Sequence, residues 1–182
     1  MIIKPNQPQF VVDLETLSTR ANACIVSIGV VKFTIQDGIL EEFFVNVDPA
    51  SCKEYGLHFD KDTIEWWTKQ SKEARESWQK DPVSLPEALH RLTDFYEEKS
   101  PIWGFGANFD ITILESAYYA VGYNKDKKDG EHLPWKFWDI YCLRTLSNIV
   151  NKKLQKTGIN HNALHDAIAE AKLIIEILKE LL

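Results

Sequence analysis

The first 47 residues constrain the fold more than any other stretch, because they hold three apolar, β-branched segments separated by short connections. Phe10-Val11-Val12-Asp13-Leu14 is the first, Ala23 to Phe33 the second and Leu40 to Val47 the third, with Asp37-Gly38 as a tight turn before the last. Strands joined this way form an antiparallel meander. After Pro49 the texture changes: Asp60 to Gln70 reads as a helix capped by Asp60 or Asp62, followed by a polar helical stretch to Lys80. Leu85, Leu89, Leu92 and Tyr96 keep helical spacing, with Pro86 acceptable in the first turn. Pro101 to Gly106 reads as a buried strand running into a glycine-loosened loop, and helical spacing returns from Ile111 to Tyr118. The charged run Asn124 to His132 predicts an exposed loop, Trp135 to Trp138 a short strand, and Asp139 the cap of a helix carrying Ile140, Leu143, Leu146 and Val150. Beyond the polar linker Asn151 to Asn160, Ala163, Ala167, Ala171, Ile174 and Leu178 trace one face of a closing helix. A meander followed by alternating helices and strands predicts an α/β fold: a mixed sheet, three antiparallel strands followed by parallel ones, with helices on both faces.

At 182 residues and 45% hydrophobic content, the pattern predicts one domain, 1–182, with a core that needs no staples. Its longest apolar runs fall far short of the roughly 20 residues that cross a bilayer. The N-terminal segment lacks the order of a signal peptide, so a cytoplasmic protein that meets no membrane is expected. Cys24, Cys52 and Cys142 form no C-x-x-C pair and read as reduced thiols. A formal net charge of -6 argues against a protein that grips long nucleic acid by counterion release alone. It leaves room for an acidic site that takes one strand end through bound cations. Four tryptophans, Trp66, Trp67, Trp78 and Trp135, suggest aromatic surface and a possible homodimer face.

Asp13 and Glu15 stand two apart at the end of the first strand, so both side chains leave the same face while Val12 and Leu14 turn to the other. Like charges this close call for a cation, and clustered carboxylates suit Mg²⁺ or Mn²⁺. Taken alone, such a pair is more often two solvated acids. Asp110 follows the loop Gly104 to Phe109 at the start of a helix, beyond the carboxyl end of a buried strand, where ligands of α/β sheets collect. Asn108 is the more natural cap for that helix, which leaves Asp110 to project elsewhere. His161 and Asp166 lie at the entry to the last helix, and both can face the sheet edge; His165 reads as solvent-facing.

In this order, Asp13-Leu14-Glu15-Thr16, Asn108-Phe109-Asp110 and His161 through Asp166, the chain resembles the DEDDh exonucleases, the proofreading-exonuclease superfamily with an RNase H-like fold. The resemblance spans about residues 8 to 180, and Thr63-Ile64-Glu65-Trp66-Trp67 is similar to the small bacterial and phage branch that includes the mycobacterial 3′-5′ exoribonuclease and T-even phage exonuclease A. Leu17-Ser18-Thr19, without glycine, is a departure from the family pattern.

The resemblance implies a metal-dependent 3′-5′ exonuclease. Asp13, Glu15, Asp110 and Asp166 would hold two divalent ions, Mg²⁺ or Mn²⁺, and His161 would serve as general base. The substrate would be the 3′ end of single-stranded RNA, with single-stranded DNA the alternative, released as nucleoside 5′-monophosphates. Thr16, Leu17, Trp66, Asn108 and Phe109 are the candidate substrate contacts. A binding module of the same fold without turnover, and an endonuclease of RNA-DNA hybrids, are the competing readings.

Overall fold

Alternation along the first strand sorts its side chains between two apolar clusters, and helices cover each. The computed structural model describes residues 3–123, 133–155 and 158–182. The expected meander forms as β1 (Gln9–Thr16), β2 (Ile25–Thr34) and β3 (Gly38–Asn46), paired antiparallel in succession. Two short parallel strands, β4 (Ile102–Gly104) and β5 (Ile140–Cys142), complete a sheet of order β3-β2-β1-β4-β5. Phe10, Val12 and Leu14 pack with Leu85, Leu89 and Leu92 of α4 (Leu85–Phe95) and with Ile111, Leu114 and Tyr118 of α5 (Asp110–Ala120). Val11, Val31 and Trp103 meet Leu143 of α6 (Leu143–Ile149) and Ala167, Ala171 and Ile174 of α7 (Ala163–Leu181). Three further helices, α1 (Pro49–Glu54), α2 (Lys61–Thr68) and α3 (Lys72–Ser77), follow the meander. Side-chain caps set several boundaries: Asp60 accepts from the Asp62 amide, Ser71 from Ala74 and Asn162 from His165.

Gly29 fixes how close α7 can come. It lies opposite Asp13 in the β1–β2 register, and a Cβ there would stand 2.2 Å from the carbonyl carbon of Ala163. The first turn of α7 therefore rests on bare β2 backbone, beside the end of β1.

The segment from Trp135 to Val150 departs from the sequence reading. Phe137–Asp139 form one 3-10 turn, closed where the Asp139 carboxylate accepts the Lys136 amide at 3.2 Å, and the strand comes later, at Ile140–Cys142. Asp139 is thus spent inside the turn, and Cys142 takes the cap position of α6. Trp135 is drawn out of the sheet because its indole N–H reaches Glu115 at 3.1 Å, under α5. Trp67 and Trp135 are buried and Trp78 is half-buried, so these do not form the exposed aromatic face suggested for a homodimer; Trp66 is the exposed one. The predicted loop at Asn124 to His132 lies outside the described residues. Cys24, Cys52 and Cys142 are free thiols. Among the described residues no helix is long and apolar enough to cross a membrane.

Gly29→Ala is expected to push α7 off the sheet and to cost about 1 to 3 kcal/mol, read as a lower midpoint in thermal or urea denaturation.

Candidate active site

Because β1 alternates, Asp13 and Glu15 share the α7 side of the sheet with Val11. Glu15 is buried and Asp13 half-buried. The pairing register shifts just after Glu15, and Thr16 pairs with Ile25 beyond the irregularity. Asp110, the first residue of α5, accepts the Leu14 amide N–H at 3.2 Å, so its carboxylate is tied to the backbone between the two strand acids. Gly104 lies directly beside it: a Cβ there would make ordinary contact with Asp110 Oδ2, at 3.5 Å. Phe109, not Asn108, holds the cap position of α5; its amide closes back on Gly106 O at 2.7 Å, and Asn108 is exposed.

The third group arrives with α7. Asp166 is buried in its first turn, and His161 precedes the helix at φ +60°, a left-handed conformation that turns the chain sharply before the cap. Glu15, His161 and Asp166 each offer one ligand atom, all within 4.8 Å of one another. The His161 and Trp66 rings pack nearly perpendicular, with centroids 4.7 Å apart. His165, expected to face solvent, is half-buried: its Nδ1 accepts the Ile159 amide at 3.0 Å and so secures the segment leading into His161.

The electrostatics follow from this packing. Burial, and then the charges of Glu170, Asp110, Glu15 and Asp166, push the Asp13 carboxyl well above the usual carboxylate range. Burial likewise carries Asp110 up to about 7, against the opposing pull of the Leu14 and Asp110 amides and of Arg144. Glu170 is a group that sequence reasoning missed. It is buried one helical turn beyond Asp166, and an acid placed among Ala163, Ala167 and Ala171 on the apolar face was the available signal.

Beside the carboxylates a cleft of about 480 Å³ is lined by Glu15, Thr16, Thr19, Asp60, Asp62, Trp66 and Phe109, among others. Of the candidate substrate contacts, Thr16, Trp66 and Phe109 line it, while Leu17 and Asn108 do not. Leu17 is buried, with its amide donating to Cys24 O and its carbonyl accepting from Asp60 N. The turn without glycine is held by side chains: Thr16 Oγ1 donates to Ser18 O, and Ser18 Oγ pairs with His58 Nδ1, each at 2.7 Å.

Residues 8–178 match the family model of the Rv2179c-like 3′-5′ exoribonuclease domain. The chain belongs to this family. That membership places it among the 3′-5′ exonucleases of the DEDD superfamily. It is 26% identical to the exodeoxyribonuclease of Enterobacteria phage T4 over 198 residues, covering 93% of this chain and 87% of the phage protein. Solved structures share the fold at low identity. E. coli Exonuclease I in complex with a dA16 oligonucleotide has a TM-score of 0.61 at 13% identity, covering 96% of this chain and 41% of that one. The Mg²⁺ and Mn²⁺ bound form of S. pombe Pop2p has 0.56 at 13% identity, covering 94% and 82%. The chain spans 65% of the length of cell-death related nuclease 4, at a TM-score of 0.55 and 13% identity.

In this Rv2179c-like domain the raised Asp110 value ties stability to pH. The fold favours the protonated carboxyl, so the stabilisation is complete below the ordinary value of 3.8 and is lost as pH rises through about 7. Asp110→Asn keeps an acceptor for the Leu14 amide. Without divalent cations it is expected to melt several degrees above the unsubstituted protein at about pH 8, the gap closing near about pH 4 in thermal melts.

Proposed function

We propose that the protein is a 3′-5′ exonuclease that removes nucleoside 5′-monophosphates from the 3′ end of single-stranded nucleic acid, RNA in preference to DNA. The observation that carries this reading is the meeting of Asp13, Glu15, Asp110, Asp166 and His161 at the end of β1, beside a cleft with an exposed aromatic wall. RNA is favoured because the family is one of exoribonuclease domains, while the phage relative is named for DNA.

The donor set fits hard divalent cations: it is rich in carboxylate oxygen, and burial with mutual repulsion leaves Asp13 and Asp110 in need of positive charge. Asp13, Glu15, Asp110 and Asp166 would hold two such ions, Mg²⁺ or Mn²⁺. When bound, the pair supplies charge stabilisation to the attacking and leaving oxygens of an in-line displacement at phosphorus.

The chain's own groups do the rest. His161 takes the proton of the attacking water, and the near-perpendicular packing of Trp66 against its imidazole helps set the ring's plane. Trp66 and Phe109 offer faces on which the terminal base stacks. The carbonyl of Thr16, bonded to the Trp67 indole N–H at 2.8 Å, keeps the α2 wall of the cleft fixed to β1. A phosphodiester approaching this site is repelled until cations are present, so binding and hydrolysis share one requirement. We place the activity in a single domain, 1–182, acting in the cytoplasm.

Single strands of RNA and DNA, labelled at the 3′ or the 5′ end, test the reading. Mononucleotide release from the 3′ end is expected with Mg²⁺ or Mn²⁺ and complete loss in chelator, reversed by adding either ion. Asp110→Ala should abolish release, and His161→Ala should lower its rate about 10²- to 10⁴-fold while thermal melts still show stabilisation by the metal. Internal cuts would move the protein to the endonucleases, and binding without cleavage to the non-catalytic modules.

A further inference from the structure

Arg144 brings positive charge to a site otherwise described by its acids. It stands in the first turn of α6, against the loop that carries Asp110. Its Nη2 donates to Phe105 O at 2.9 Å, and its guanidinium carbon lies 5.0 Å from the centre of the Phe105 ring. Gly106, at φ +101°, makes the approach possible: a Cβ there would come within 3.1 Å of Nη2. The guanidinium is thus held against one short loop by a hydrogen bond, a ring face and a backbone without a side chain, yet the residue remains exposed. Among the described residues no carboxylate lies within ion-pair distance of it. A guanidinium carries five N–H donors. Most of this one's donors are left for an anion, and its charge already reaches Asp110.

Its place in the sheet says which anion. The order β1-β4-β5 puts Arg144 on the β5 side of Asp110 and the cleft with Glu15, Thr16 and Trp66 on the β1 side. A strand whose 3′ nucleoside fills the cleft, and whose scissile phosphate lies at the carboxylates, continues toward α6. We propose that Arg144 binds the next phosphate on the 5′ side of the scissile bond, so that the enzyme prefers substrates with at least two phosphodiester linkages. This rests on the exonuclease function proposed above. A guanidinium already oriented by Phe105 loses little freedom on forming a two-pronged contact to phosphate, which lysine cannot reproduce.

The test compares two substrates in the presence of Mg²⁺: a short single-stranded oligonucleotide and the p-nitrophenyl ester of thymidine 5′-monophosphate, which has one phosphodiester and no phosphate beyond it. In Arg144→Ala the ratio of kcat/KM for oligonucleotide over ester should fall about tenfold or more. The dependence of log kcat/KM for the oligonucleotide on log salt should flatten by about 0.7. Arg144→Lys should keep the salt dependence and recover part of the ratio. An unchanged ratio, or an equal fall on both substrates as expected if Arg144 merely braces Phe105, would overturn the assignment. If the unsubstituted protein cleaves neither substrate, the exonuclease reading itself fails, and this assignment with it.

Discussion

Asp13 sits where burial and four other carboxyls all oppose its ionisation, and the surrounding structure exists to keep it there. No single element could hold such a group of acids together, since each gains by moving away from the rest. The fold spreads the task over three anchors. β1 presents Asp13 and Glu15 from a strand hydrogen-bonded on both sides. α5 brings Asp110 against the Leu14 amide, which helps its charged form. α7 brings Asp166 and Glu170 down on a helix seated against β2 at Gly29. Hydrophobic packing on both faces of the sheet therefore opposes an electrostatic strain that cations are suited to relieve.

The wall of the cleft is assembled from the same strand end. Beyond the register shift, the Thr16 carbonyl takes the Trp67 indole N–H, and the Leu17 carbonyl takes the amide of Asp60, the cap of α2. That fastening sets Trp66 against His161, a residue almost a hundred positions away in sequence. The imidazole is located by helix placement on one side and by its own left-handed backbone on the other.

Much of this was legible because long periodic segments write their own geometry. The meander, α4, α5 and α7 all follow from alternation or helical spacing, and so does the shared face of Asp13 and Glu15. The reading slipped between Trp135 and Val150, where a three-residue strand is too short to show a period and a turn aspartate looks like a helix cap. Tryptophans were assigned to the surface because composition does not say which indole N–H finds a partner; Trp67 found Thr16 O and Trp135 found Glu115. His165 was read as solvent-facing and Arg144 went unread for a related reason. Their partners, Ile159 and Phe105, are backbone groups, and backbone acceptors and donors leave no mark in a sequence. Glu170 was visible as an acid on an apolar face, a sign that a helix faces something other than oil.

The opposition of Asp13 and Gly29 in the β1–β2 ladder makes strand register the alignment device of the whole site. A slip of β1 by one residue would turn Asp13 and Glu15 into the layer under α4 and α5 and would bring Val12 and Leu14 to the α7 side in their place. Such a molecule would present apolar side chains where the acids of the site should meet Asp166 and Glu170 of α7. Correct pairing in this protein thus brings the acids of β1 and the bare backbone that seats α7 to the same level of the sheet.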